Sequence, residues 1–312
     1  MRRPFFREKI FLLGLLLTLV LQASSWGAQI VVLQSARIPA YDEALQGLVA
    51  VLSQDIPKRG QKAIQAHTIT THILSEAEST VQLRQQMVEA QPDLLVAIGS
   101  SSLSLVKDLA QVPILYLMVP FPEIKGESRH ITGVNMNLSA AQQLEALAAA
   151  APGVASIGLL YDPARSGAMV DEAREHAARI NLDLVTLPVR SAGEVPAQLA
   201  RLKGRIEWLW MVPDITVLTP QNVDYILLFS MENRVPIFTF AKKYLDQGAA
   251  LSVSFDTVDM GKQAGELACK ILNGTMPADL PPEAVRKVVV EINANTLKML
   301  GIVFQEREGE KR

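Results

Sequence analysis

Short polar loops that follow apolar runs carry the side chains best able to bind a small charged molecule. Ser100, Ser101 and Ser102 come directly after the apolar run LLVAI and open a predicted helix. Backbone N–H groups at the start of a helix attract a carboxylate or a phosphate, and serine hydroxyls add donors. Asp214 follows the aromatic run IEWLWMV and offers a carboxylate that suits an ammonium group. The two loops together predict a site for a small molecule that carries both charges.

Other loops of the same kind add candidate ligand-binding residues. In an open α/β sheet, ligands bind at the edge formed by the carboxyl ends of the strands. The polar and aromatic candidates in or beside such loops are Gln34, Ser35, Asp162, Ser166, Thr216, Phe238 and Asp256. Structural roles stay open for them, because serine and aspartate also cap helices, a loop carboxylate also lies in solvent, and a phenylalanine also packs in a core.

Signatures of catalysis and of metal binding are missing from the sequence. The single cysteine, Cys269, excludes an intrachain disulfide and a cysteine-based metal site, and the 4 histidines show no metal-ligand spacing. The segment GSSSL lacks the second glycine of a GxSxG nucleophile elbow. A net charge of −2 offers no basic excess for nucleic acid. We therefore predict a binding protein rather than an enzyme, with no cofactor, metal or nucleic-acid partner.

Residues 1–28 have the pattern of a secretory signal peptide. A basic start precedes an apolar run of 12 residues at 10–21, and small residues follow that run. A helix of this length spans about 18 Å, short of the roughly 30 Å of a bilayer core. No cysteine stands near the expected cleavage site between Ser25 and Ala28, which argues against a lipid anchor. With an uncleaved tether as the alternative, we predict a soluble mature protein in the periplasm or outside the cell.

Apolar runs of strand length alternate with amphipathic stretches of helix length along the rest of the chain. The runs LLVAI and VPILYLMV in the first half have counterparts in IEWLWMV and VPIFTF in the second. Strand–helix alternation predicts βαβ units and a mainly parallel sheet that is covered on both faces. Because the series occurs twice, we predict an α/β protein with two doubly wound parallel-sheet lobes.

The C-terminal part contains too few elements for a third domain but enough to give each lobe another strand. The chain is then expected to cross from one lobe to the other three times, near residues 132–137, 240–248 and 277–288. Such crossings make a three-strand hinge. The predicted organisation is a signal peptide at 1–28, lobe I at 29–133 plus 247–277, and lobe II at 134–246 plus 285–304.

The chain resembles the ABC transporter substrate-binding proteins of the tryptophan/tyrosine type over about residues 29–302. The resemblance is carried, in this order, by LLVAIGSSSLSLVKDLAQVPILYLMV, TGVNM, IGLLYDP, VPDITVLTP, the tail that begins VPIFTFAKKYLDQGAALSVSFDTVDMGKQAGELACKILNG, and INANTLKMLGI. It implies the type I periplasmic-binding-protein fold, with the ligand in a cleft between two lobes. It also implies that Ser100–Ser102 hold a ligand carboxylate and Asp214 an amine, while Tyr41, Asp162 and Asp256 match cleft-lining segments.

Two loops depart from the family pattern. VPFPE at 119–123 stands where relatives carry aspartate-proline and glycine-rich turns, and SARIP at 35–39 stands where they carry histidine-proline. Both flank the expected cleft and leave open a ligand other than an aromatic amino acid.

The resemblance implies an exported solute-binding protein that captures an amino acid or related zwitterion and delivers it to an ABC permease in the inner membrane. Two alternatives stay open. One is a ligand-binding sensory module for a membrane receptor, and the other is an exported hydrolase that uses Asp162 or Asp214.

Overall fold

The computed structural model describes residues 27–54, 67–77, 79–120, 122, 124 and 128–302. The predicted signal peptide therefore lies outside the described residues, except for Gly27 and Ala28. The chain divides into two compact units. The first unit consists of the chain up to Val134 together with Gly261–Pro282, and the second consists of Asn135–Met260 together with the chain from Glu283 onward.

The first sheet has six strands in the order β11-β5-β4-β3-β1-β2, and β1 to β5 are parallel. Its strands are β1 (Gln29–Gln34), β2 (Thr68–Ile73), β3 (Leu94–Ile98), β4 (Ile114–Leu117), β5 (Ile131–Asn135) and β11 (Glu283–Ala284). The helices between these strands are α1 (Pro39–Leu52), α2 (Thr80–Ala90) and α3 (Ser100–Val106).

The second sheet has the order β12-β10-β9-β8-β6-β7, and only β12 is antiparallel to its neighbour. Its strands are β6 (Ser156–Tyr161), β7 (Asp183–Pro188), β8 (Trp208–Met211), β9 (Ile237–Thr239), β10 (Leu251–Phe255) and β12 (Val288–Ile292). The remaining helices are α4 (Ala140–Ala150), α5 (Pro163–Arg179), α6 (Val195–Leu202), α7 (Pro220–Asn233), α8 (Lys243–Asp246), α9 (Thr257–Leu272) and α10 (Ala294–Met299).

Alternate residues of a central strand enter different apolar clusters. Along β8, Trp208 and Trp210 belong to one cluster, whereas Leu209 and Met211 belong to another. Successive strand side chains point to opposite faces of a sheet, so the second sheet is covered on both faces. This explains why its strands read as continuous apolar runs.

The predicted fold class of two doubly wound α/β lobes is confirmed. Both sheets place their strands in the same spatial order, with the first strand of each unit between the second and the third. In each unit the chain thus reverses direction across the sheet beside the first strand. Ligands of open α/β proteins bind at the carboxyl edge near such a reversal.

One part of the predicted domain organisation is wrong. Residues 247–260 were expected in the first lobe, but β10 pairs with β9 and β12 in the second sheet. The chain therefore passes from the second unit to the first at Met260–Gly261, inside α9, and not within 240–248. The apolar composition of β10 would suit a strand in either sheet. The sheet that it joins is determined by its hydrogen bonds to β9 and β12.

Candidate functional site

Candidate residues of the first unit meet where β1 and β3 end side by side, in a group that we call the serine edge (Gln34, Ser35, Tyr41 and Ser100–Ser102). The Ser35 Oγ accepts a hydrogen bond of 2.9 Å from the N–H of Ser102 and donates one of 3.1 Å to the Ser102 Oγ. The Ser35 N–H donates to the carbonyl of Ile98 at 2.9 Å. The loop after β1 is thereby fastened to the first turn of α3.

Gly99 allows Tyr41 to join this edge. Its φ of +92° lies in a region that side chains rarely adopt, and an added Cβ would lie 2.4 Å from the Tyr41 Oη and 2.6 Å from the Ser35 Oγ. Burial raises the pKa of the Tyr41 phenol. Tyr41 is therefore a neutral hydroxyl that can donate or accept at neutral pH.

The three serines of the loop differ in what they can do. Ser102 is buried and bonded to Ser35, whereas Ser100 and Ser101 are exposed. Gln34 is also buried, and its Nε2 donates to the Asp42 Oδ1 at 3.2 Å. At the serine edge, the exposed hydroxyls of Ser100 and Ser101 are thus the groups best placed to meet a ligand.

The second unit has a corresponding group, the aspartate edge (Asp162, Arg165, Ser166, Asp214, Ile215 and Thr216), where β6 and β8 end side by side. Asp214 lies at its centre and is 1% exposed. Its Oδ2 accepts from the Asp162 N–H and the Ser166 Oγ, both at 2.8 Å. Its Oδ1 accepts from the Thr216 N–H at 2.9 Å and from the Val217 N–H at 3.4 Å.

These four contacts give Asp214 a structural role. A carboxylate has about four lone-pair sites, and groups of its own unit occupy them. The predicted role of Asp214 as an amine anchor does not fit this geometry, and neither does the alternative of a solvated carboxylate. Asp214 ties the loop after β6 to the loop after β8.

Asp162 and Arg165 are the charged groups on the outer side of this network. Asp162 caps α5, since its Oδ1 accepts from the Ala164 N–H at 3.0 Å, and its Oδ2 accepts from the Thr216 Oγ1 at 2.7 Å. These two hydrogen bonds, with the nearby Arg165 charge, hold the pKa of Asp162 below its usual value. Asp162 is therefore ionised at neutral pH.

The other predicted residues of the second unit have separate positions. Phe238 is 0% exposed and stacks on Trp210 with ring centroids 5.6 Å apart, so of its two predicted roles the core packing applies. Asp256 caps α9 through the Asp259 N–H at 2.9 Å and pairs with Lys287. Burial pushes the pKa of Asp256 upward, but the Lys287 hydrogen bond and charge and the capping N–H groups outweigh it, and the pKa is lowered.

Sequence reasoning missed Arg165 and Ile215 as candidate site residues. The Arg165 side chain is 52% exposed and Ile215 is 70% exposed. No sequence motif marks an arginine in the first turn of a helix as a binding residue. Its hydrogen bond to the Thr216 Oγ1 is apparent only in the structure. Within the described ranges, no three His, Cys, Asp or Glu side chains come together in a way that could hold a metal ion.

Comparisons with known proteins agree with this architecture. The tyrosine-binding protein of Clostridioides difficile (strain R20291) is 23% identical over 272 residues, which cover 84% of this chain and 77% of that protein. A ligand-free, open substrate binding protein with adhesive properties from Clostridium difficile matches with a TM-score of 0.71 and 24% identity, over 91% of this chain and 97% of the other. The ABC domain in complex with L-Trp from Streptococcus pneumonia matches with a TM-score of 0.56 and 24% identity, over 90% and 96%.

The two units of similar strand order and these structural matches show that the protein has the type I periplasmic-binding-protein fold. The family assignment is more specific. The chain belongs to the ABC transporter substrate binding protein family, whose sequence model matches residues 29–308. The resemblance inferred from the motifs is therefore confirmed. Of the helices in the described residues, none combines the length and the apolar character that a membrane span requires.

Proposed function

We propose that this protein is the exported solute-binding component of an ABC importer, that it binds an amino acid, and that it delivers this ligand to a permease in the inner membrane. The family match over residues 29–308 is the observation that carries the proposal. A relative named for tyrosine binding and a structural neighbour with bound L-Trp favour an amino acid as the ligand class. Export rests on the signal-peptide pattern of residues 1–28.

The chemistry of the two edges suits this ligand class. The serine edge presents the exposed hydroxyls of Ser100 and Ser101, and the aspartate edge presents the charges of Asp162 and Arg165 beside the apolar Ile215. We propose that one ligand contacts residues from both edges. A ligand that contacts both units in one conformation shifts the population toward that conformation, and this is the signal that a permease would recognise.

The test is a thermal-shift screen of the purified protein, expressed as the full-length chain, against the common protein amino acids. L-tyrosine and L-tryptophan are the first probes. A ligand at 100 times its Kd stabilises a protein by about 2.7 kcal/mol, so we expect a saturable rise in Tm for at least one amino acid. Isothermal titration calorimetry then gives the affinity. If no amino acid raises the Tm or produces a binding isotherm, the proposed function is overturned.

A further inference from the structure

The guanidinium of Arg165 is held in one orientation with its outer nitrogens uncommitted. Its Nε donates to the Thr216 Oγ1 at 3.1 Å and lies 3.7 Å from the Asp162 Oδ2. Within the part of the chain that the structure describes, its two Nη groups make no hydrogen bond. Four N–H donors of a fixed planar fork are therefore available to a ligand.

Three other basic side chains near the carboxyl edge of the second sheet are paired with carboxylates. These pairs are Lys287 with Asp256, Arg286 with Asp259, and Lys242 with Glu291. Asp162, by contrast, is satisfied by two neutral donors, the Ala164 N–H and the Thr216 hydroxyl, and only approaches the Nε side of Arg165. The Nη side of Arg165 thus has no carboxylate partner among the described residues.

The start of α5 does not supply an alternative anion site. The Ala164 N–H is bonded to the Asp162 side chain, and the N–H groups of Arg165 and Ser166 donate to the Asp162 carbonyl at 2.9 Å each. Residue 163 is a proline and has no N–H. The helix terminus has therefore used its donors, and the Arg165 guanidinium is the group that could receive an anion.

The hydrogen-bond network around Arg165 preorganises its side chain for binding. Asp214 fixes the backbone on both sides, at Asp162 and at Thr216, and the Thr216 hydroxyl bridges the Asp162 carboxylate and the Arg165 Nε. A long side chain normally loses conformational entropy on binding, and holding it in place beforehand reduces that cost. The geometry therefore favours a planar, bidentate partner such as a carboxylate.

We propose that Arg165 binds the carboxylate of the ligand and that this ligand is an α-amino acid with an apolar side chain. The adjacent Asp162 carries the opposite charge, so a zwitterion balances both groups, whereas a simple anion would be repelled by Asp162. Ile215, exposed in the neighbouring loop, offers an apolar surface. This inference rests on the proposed function, and it reverses the predicted arrangement in which the carboxylate binds at Ser100–Ser102.

The test compares three variants by calorimetry with the amino acid that gives the largest shift in the screen. Truncating one partner of a desolvated charge pair weakens binding by at least about 30-fold, and we expect this loss for Arg165→Met. Arg165→Lys keeps the charge without the planar fork, and we expect an intermediate loss. The control is Arg205→Met, because Arg205 lies before β8, at the opposite edge of the same sheet, and we expect it to bind like the wild type.

The decarboxylated ligand provides a second readout, with tyramine or tryptamine as the probe for L-tyrosine or L-tryptophan. We expect the amine to bind the wild type weakly and to bind Arg165→Met equally weakly, because it lacks the group that Arg165 contacts. Wild-type affinity in Arg165→Met, measured on protein with an unchanged Tm, overturns this inference and leaves the proposed function intact. A wild type that binds no amino acid overturns the proposed function, and the inference fails with it.

Discussion

Asp214 accepts hydrogen bonds from three backbone N–H groups and one hydroxyl, and it is 1% exposed. Removing the carboxylate leaves one buried and three partly buried donors without an acceptor, and each unsatisfied buried group costs about 1–3 kcal/mol. We therefore expect Asp214→Ala to lower the free energy of unfolding by about 2–4 kcal/mol, measured by urea denaturation. Asp214→Asn should also be destabilising, because its amide NH2 would face donors.

The matched control is Asp224→Ala, which removes an exposed carboxylate from α7. Surface substitutions of this kind change stability by less than about 0.5 kcal/mol. An Asp214→Ala protein as stable as Asp224→Ala, but with impaired ligand binding, would restore the ligand-anchor role that the sequence suggested for Asp214.

Residue types in the sequence indicate the loops of the site but not the partners within them. Asp162, Ser166, Asp214 and Thr216 all come from two predicted loops, and the structure brings them together. Which carboxylate faces a ligand depends on how many donors surround each one. The number of donors depends on how closely the two loops approach each other in the folded protein. The sequence of either loop alone does not indicate it.

At the scale of elements, α9 packs its glycines against α1. A Cβ on Gly261 would lie 1.9 Å from the Ala44 carbonyl oxygen, and a Cβ on Gly265 would lie 2.7 Å from the Val51 Cβ. Both glycines are on one face of α9, because they are four residues apart. The absence of side chains lets the backbones of the two helices approach closely.

We expect Gly261→Ala to destabilise the protein by about 2 kcal/mol or more, although alanine is the better helix former. Alanine gains about 1 kcal/mol over glycine in a helix interior, but here its methyl group would overlap a backbone atom that cannot move without shifting α1. Gly167→Ala in α5 is the matched change, since no atom lies within 4 Å of the added Cβ. Chemical denaturation should show a loss for Gly261→Ala and a small gain for Gly167→Ala, and equal effects would contradict the packing argument.

The central elements of both sheets were predictable because they are continuous apolar runs. The run LLVAI at 94–98 is the strand Leu94–Ile98, all five residues of which are buried. The edge strand β2 was missed, because its sequence TITTHI is polar and partly exposed. Residues 247–260, which contain β10, were expected in the wrong lobe. Apolar patterns report burial, whereas strand partners depend on contacts that are distant in sequence.

At the scale of the whole molecule, the last residues of the described chain complete the second unit. The strand β12 pairs with β10, and α10 follows it. Leu297 on α10 is 1% exposed and belongs to the same apolar cluster as Trp210 and Phe238. A segment that begins about 130 residues after β6 therefore contributes to the core built around β6 and β8.

This placement gives a stability prediction for the tail. Truncating a buried leucine to alanine costs about 2–5 kcal/mol through lost transfer energy and the cavity left behind, and we expect a loss of this size for Leu297→Ala. Trp208 and Trp210, two of the three tryptophans of the chain, lie in the second unit, so the tryptophan fluorescence transition in urea reports mainly on that unit and should move to lower urea. Met299→Ala, two residues further on the same helix but 68% exposed, should leave the transition within about 0.5 kcal/mol of the wild type. If the two variants shift the transition equally, α10 does not contribute to this core, and the second unit is complete without its C-terminal segment.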